Sequence, residues 1–372
     1  MKSKILFIDS YFDCLYGAQK SMLNLAVLLK DRDHEITIAT TASGKLIKEA
    51  KTLGLNTSEF SVSKKALVSI TSLNSILSYI VYLFSVIFSW AKSFHYYNFF
   101  RDKDTICVND IRCFIYYFPL IVLFKRKVIW YVRVREEQLT LVRFFSIFCR
   151  KIAFVSKDLY KDFKDLNIPV SKMHVVHTGF PNPQNEMMEY GNSLASFVSV
   201  GSICERKNQL ELLDLFYTIH STTGLNYKLT LIGGVAKGQE SYYKSVTEKI
   251  ENNEYLAKYV NILGYCDFVE IELEKHDVFL FSSLREGLPR CLIEALQAGL
   301  FIVTRKVEGV DDIILNNRLG YVYESNYFDV VDKLQESLQS GYCFSKGEKA
   351  FRRRYVKDNF SEVDFINNFL SL

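Results

Sequence analysis

The chain has 372 residues, 49% of them apolar, and a formal net charge of +4. That length suits two domains of ordinary size better than a single core, and the apolar content can fill both. Eight cysteines without a C-x-x-C pair argue against a disulfide framework and a zinc site, and fit a reducing cytoplasm.

The near-neutral total hides two unlike halves. Residues 1–190 carry 26 Lys and Arg against 17 Asp and Glu, whereas residues 191–372 carry 20 against 25. A basic half favours an anionic partner. No aromatic-and-basic recognition motif accompanies it, so a membrane surface is the expectation and nucleic acid is not.

In chain order, Lys2-Ser-Lys4 leads straight into a short apolar strand at 5–8, so no secretory leader is expected at this end. A loop holding Gly17 and Ala18 then precedes an amphipathic helix from about 18 to 29. Further strands are predicted at 35–39, 105–108, 128–132 and 152–155. Between them, residues 66–91 contain no charged side chain, and 76–90 are apolar enough to be a membrane-span candidate. The serines and tyrosines within it, with Lys64, Lys65, Lys92 and Arg101 on its flanks, favour a helix lying on a bilayer or partly buried in the first domain over a true span. A second apolar run at 114–124, followed by Lys125-Arg126-Lys127, supports surface attachment; two ordinary buried helices are the alternative.

Two strand ends in this half carry polar groups. Asn109 and Asp110 are candidates for binding ligand hydroxyls, and Arg133 and Arg135 for meeting a phosphorylated ligand. For the arginines a basic surface resting on lipid headgroups is the competing reading. His34 and His177 lack ligand spacing and read as structural.

The Pro-, Asn- and Gly-containing stretch at 179–191 reads as a linker. Strands then start again at 197–201, 228–232, 260–263, 277–281 and 301–304. Strands alternating with helical stretches indicate parallel sheets covered by helices, whose ligands bind at the C-terminal strand edges. In this half Arg206 and Lys207 sit in a strand-to-helix turn, and Gly264 and Tyr265 follow another strand.

The most informative segment runs from Phe281 to Gly299. An apolar strand ends in a polar turn, Pro289 suits the first position of a helix, and Gly299 the position just past its end. The first turn of that helix, including Leu288 and Arg290, offers backbone N–H groups and a positive dipole end to a diphosphate. Glu286 before the helix and Glu294 within it are acceptor-only groups suited to sugar and ribose hydroxyls.

At these residues the chain resembles glycosyltransferase family 4 (glycosyl transferases group 1), whose mark is two glutamates separated by seven residues around E-G-x-P: here Glu286, Gly287, Leu288, Pro289 and Glu294. The turn at 200–209 is similar to the family's G-R-x…K-[GN] segment, with Lys207 matching its lysine. Ser202 stands where the family usually has arginine, and Arg206 is the candidate replacement. The Gly17 loop resembles the family's G-G-A-[EQ] loop with Tyr16 in place of the first glycine. No histidine follows the strand at 128–132, where members often have one.

The resemblance implies an α/β fold of two Rossmann-like domains facing each other across a cleft (GT-B). It implies an N-terminal acceptor-binding, membrane-facing domain at 1–185, a nucleotide-sugar domain at 186–350, and a C-terminal helix at 351–372 crossing back to the first. It also implies a retaining enzyme using a nucleotide-diphosphate sugar as co-substrate, with no metal and no other cofactor. Glu286, Lys207 and Arg206 would serve the chemistry. Gly17, Ala18, Gly264, Tyr265, Gly287, Leu288, Pro289, Arg290 and Glu294 would hold the donor. The expected setting is the inner face of a bacterial cytoplasmic membrane, acting on a lipid-linked glycan in surface polysaccharide assembly. Rivals are a catalytically silent nucleotide-sugar-binding scaffold and a bitopic membrane protein anchored by residues 66–91.

Overall fold

A computed structural model of the chain describes residues 2–68, 74–182 and 194–372. Two compact units emerge: one takes the residues up to Gly179 together with Glu362–Leu372, the other Phe180–Ser361. Most of the linker proposed at 179–191 lies outside the described residues, as do residues 69–73 of the uncharged stretch.

In the first unit seven strands form one parallel sheet: β1 (Lys4–Asp9), β2 (Glu35–Thr40), β3 (Asn56–Glu59), β4 (Thr105–Val108), β5 (Val128–Val132), β6 (Lys151–Phe154) and β7 (Met173–Val175), in the order β3-β2-β1-β4-β5-β6-β7. The central strands β1, β4 and β5 are near-continuous apolar runs because both faces are covered, and every residue of β5 is buried. Helix α1 (Gly17–Lys30) turns Met22, Leu25, Ala26 and Leu29 onto the sheet, the three-and-four spacing of one helical face. Helix α2 (Ile76–Ser93) and helix α3 (Ile111–Tyr116) follow.

The second unit repeats the plan with six parallel strands: β8 (Ser196–Val200), β9 (Lys228–Ile232), β10 (Val260–Gly264), β11 (Val278–Phe281), β12 (Phe301–Arg305) and β13 (Gly320–Tyr323), in the order β10-β9-β8-β11-β12-β13. Helix α4 (Gln209–Thr223) follows β8, α5 (Arg290–Gln297) follows β11, and α6 (Lys346–Asn359) follows later. Strands β3, β7 and β13, absent from the sequence reading, are all sheet edges. Edge strands are short or polar, so β3 (Asn-Thr-Ser-Glu) and the three-residue β7 carry little periodic signal.

The C-terminal segment differs from the expected start at 351. Helix α6 stays with the second unit, because buried Arg352 donates to the carbonyls of Gly299 and Arg318, and Glu348 pairs with Arg318 at 2.7 Å. Only α7 (Glu362–Leu370) belongs to the first unit. There Phe369 stacks near Phe7 and Tyr131, and Arg32 donates to Asn367 at 3.0 Å.

Candidate nucleotide-sugar site

The second unit gathers its candidate residues where β8 and β11 end. After β8 the chain makes a tight turn, Glu205–Lys207, and Asn208 enters α4 with φ +52°, a left-handed conformation that asparagine tolerates better than most residues. The loop after β11 is stitched to that turn. The Ser282 hydroxyl donates a bifurcated bond to the carbonyls of Lys207 and Asn208, while the Leu284 amide donates to the Arg206 carbonyl.

This stitching brings three donors onto one oxygen of Glu286. Its Oε1 accepts from Arg206 Nη1 at 2.8 Å, Lys207 Nζ at 2.8 Å and Ser283 Oγ at 2.7 Å. Burial alone would raise the Glu286 carboxyl, but the charges of Lys207 and Arg206 and the bonds from Lys207 and Ser283 outweigh it and hold it below the usual range. Burial likewise opposes the Lys207 charge, and the Glu286 carboxylate more than offsets it, so the ammonium is held above its ordinary value. Both groups therefore stay ionised although each is at most 14% exposed.

Helix α5 begins one residue later than expected. Pro289 is its N-cap at φ −71°, and Arg290 its first residue. No acidic side chain sits in the first turn and no side chain caps it, so this helix end presents positive potential beside Arg206 and Lys207. Further in, Glu294 accepts from Arg290 at 3.5 Å, and the Arg290 guanidinium lies over the Phe180 ring. Gly299, with φ +89°, ends the helix as anticipated.

Two residues that sequence reasoning missed shape the Glu286 loop. The carboxylate of Glu308, after β12, accepts the backbone N–H of Glu286 at 3.2 Å. Next to it Gly309 has φ +80°, and a side chain there would meet the Gly287 carbonyl oxygen at 2.7 Å. Neither carries a local signal beyond the glycine itself. At the end of β10, Gly264 takes φ +78° where the ladder shifts register, leaving Tyr265 exposed.

In the first unit Gly17 opens α1 behind Tyr16, with Ala18 following and Gln19 buried. Asn109, Asp110 and Arg133 come together at the C-terminal ends of β1, β4 and β5. Asp110 caps α3 and clamps the first loop: its oxygens accept from the amides of Ser10, Arg112 and Cys113 and from Ser10 Oγ. Arg133 is buried, donating to Ser21 at 2.6 Å and Asn109 at 3.3 Å. Arg135 stands apart, paired with Asp162 at 3.0 Å. Sequence reasoning also overlooked Asp9 in this cluster, which accepts from Gln19 and the Tyr11 amide. Burial, with help from the neighbouring Asp110 charge, pushes its carboxyl up to about 7. Among the described residues no three His, Cys, Asp or Glu side chains gather in a way that could hold a metal ion.

Comparison with known proteins bears on this arrangement. Residues 192–354 match the family described as "Glycosyl transferases group 1". The chain is 24% identical over 222 residues to the Staphylococcus aureus "Capsular polysaccharide biosynthesis glycosyltransferase CapH", a match spanning 60% of this chain and 58% of that relative. It is 24% identical over 183 residues to an Escherichia coli "UDP-Gal:alpha-D-GlcNAc-diphosphoundecaprenol alpha-1,3-galactosyltransferase", spanning 46% of each chain. Among solved structures, a Rickettsia africae glycosyltransferase superposes with a TM-score of 0.81 at 16% identity, covering 100% of this chain and 97% of that one. Anabaena Alr3699/HepE in complex with UDP superposes at 0.80 and 14% identity, covering 99% and 98%. The chain thus has the two-sheet α/β fold of the GT-B glycosyltransferases, and its second unit carries the sequence match to the glycosyl transferases group 1 family.

Proposed function

We propose that the protein is a retaining glycosyltransferase that moves a sugar from a nucleotide-diphosphate sugar to a lipid-linked glycan, in bacterial surface polysaccharide assembly. The observation that carries this reading is the convergence of Lys207 and Arg206 on Glu286 beside the N-terminus of α5, with Glu294 further along the same helix. When the bond between the sugar's anomeric carbon and the phosphate oxygen breaks, negative charge grows on the departing diphosphate. Two fixed cations and a helix N-terminus are suited to neutralising it, so the reading needs no metal. Glu286 then serves the donor sugar and Glu294 the ribose. The acceptor oxygen bonds to the anomeric carbon on the face the leaving group vacates, and its proton passes to the leaving phosphate oxygen. The names of the capsular and diphosphoundecaprenol relatives support the acceptor class.

The protein is proposed to work at the cytoplasmic face of the membrane, attached through its basic first unit. One helical stretch, Ile76–Asp102, is long and apolar enough to cross a membrane by length and composition. In α2, however, Ser85, Val86, Ser89 and Ser93 are buried, the Ser89 hydroxyl accepts from the Ser63 amide, and Trp90 donates to the Ile115 carbonyl at 2.7 Å. Spanning would break these ties. The opposite face exposes Ile76, Leu77, Leu83, Phe84 and Phe88, and Lys92 reaches back over the Phe88 ring. An apolar face edged by lysines suits an anionic bilayer surface.

Incubation of the purified protein with UDP-, GDP-, ADP- or dTDP-linked sugars and undecaprenyl-diphosphate-linked saccharide tests the activity. The expected result is nucleoside diphosphate release that depends on the lipid acceptor, with the anomeric configuration kept in the product. An inverted product, or no transfer from any donor, contradicts it.

A further inference from the structure

We propose that the Glu286 carboxylate is a built-in competitor of the donor's diphosphate for Arg206 and Lys207, so that the site disfavours a bare nucleoside diphosphate relative to a nucleotide sugar. The inference rests on the nucleotide-sugar reading and adds a selectivity to it.

The geometry behind it is the sharing of one oxygen. Arg206, Lys207 and Ser283 all donate to Glu286 Oε1, within 2.7–2.8 Å. These charge-assisted bonds are the strong kind, and two cations held close together need a counter-charge. The groups assigned to the diphosphate are therefore already partly neutralised, two cations against the one carboxylate of the neighbouring loop. A diphosphate brings more negative charge and more acceptor oxygens, and the N-terminus of α5 beside the loop favours it further. It takes the cations only by displacing Glu286.

What happens to the displaced carboxylate decides the selectivity. Glu286 is 13% exposed, so an ionised side chain that loses its cations must find donors nearby. The hydroxyls of a donor sugar provide them. A nucleoside diphosphate without its sugar has only the ribose hydroxyls, which this reading gives to Glu294, so part of its binding free energy is spent leaving Glu286 unsatisfied. Since the bare diphosphate is the product of transfer, the same competition favours its release.

Isothermal titration of the full chain with UDP, GDP, ADP, dTDP and inorganic pyrophosphate tests this, comparing wild type with Glu286→Gln. The amide keeps the shape and removes the competing charge, so the best-binding diphosphate should bind at least fivefold tighter to the variant. Ser283→Ala, which leaves every charge in place and removes one donor from Oε1, should shift affinity the same way by a smaller factor and serves if the first variant does not fold. Unchanged or weaker diphosphate binding in the variant that folds overturns the competition and leaves the nucleotide site standing. Wild-type protein that binds none of the five overturns both.

Discussion

Lys207 and Glu286 meet at 2.8 Å across a loop pair that Ser282 and the Leu284 amide hold together, and both remain charged in a largely buried setting. On the proposed competition, Glu286 holds this lysine in place until a diphosphate displaces the carboxylate and takes the cation over. Positive charge that needs no reorganisation during the reaction is what a departing diphosphate requires.

Replacing Lys207 by Ala should therefore depress turnover more than substrate affinity. Loss of one charged donor to the leaving group costs about 3 kcal/mol in the barrier, on the order of a hundredfold in kcat. Arg206→Ala should cost less, because that side chain is 45% exposed and better screened. Steady-state kinetics on both variants checks the order.

The Asp9 carboxyl gives the first unit a pH signature. Its pKa rises from 3.8 to about 7 through burial and the Asp110 charge, so folding favours the protonated form. That contribution is complete below about pH 4 and is lost as pH climbs toward 7. Asp9→Asn has no such term, so the variant should gain stability relative to wild type between pH 4.5 and pH 7.5. Denaturant melts at the two values measure it, and parallel behaviour of the two proteins would refute the assignment.

Gly309 should tolerate no side chain. With φ +80° and a carbonyl oxygen 2.7 Å from where Cβ would sit, alanine forces the Gly287 loop to move. Backbone strain alone costs about 1–3 kcal/mol. Gly309→Ala should melt at lower temperature and lose nucleotide-induced stabilisation, whereas Gly224→Ala, with open space around the position, should bring only the conformational penalty.

How much of this was legible in the sequence follows from where each signal originates. The central strands and α1 show themselves through apolar runs and three-and-four spacing, which are local. The Glu286–Glu294 segment is legible because a strand, a proline and a glycine frame it within twenty residues. Glu308 and Gly309 were missed because their roles arise only when β11 and β12 are laid side by side, and Ser283 because the cations it joins on Glu286 arrive only when β8 lies beside β11. Asp110 and Arg133 were legible as polar strand ends. Their partners Ser10 and Ser21 lie about a hundred residues away in sequence, so the clamp they form could not be read.

The proposed attachment through the exposed face of α2 has its own test. Phe84→Asp combined with Phe88→Asp should abolish co-sedimentation with anionic vesicles while leaving the melting temperature near wild type, since both rings are more than half exposed. Lys64→Gln with Lys65→Gln should weaken binding at low salt, by about 1 kcal/mol per lysine near the surface. Alkaline carbonate should release the wild-type protein from membranes; retention would indicate a span.

The central claim is a nucleotide-diphosphate site in the second unit, and thermal stabilisation by UDP, GDP, ADP and dTDP tests it most directly, with Lys207→Ala and Glu294→Ala alongside. A nucleotide at a hundred times its dissociation constant should add about 2.7 kcal/mol of stability. The expected result is that one nucleotide stabilises the wild type and does so far less in either variant. No shift with any of the four, or equal shifts in wild type and both variants, would contradict the site.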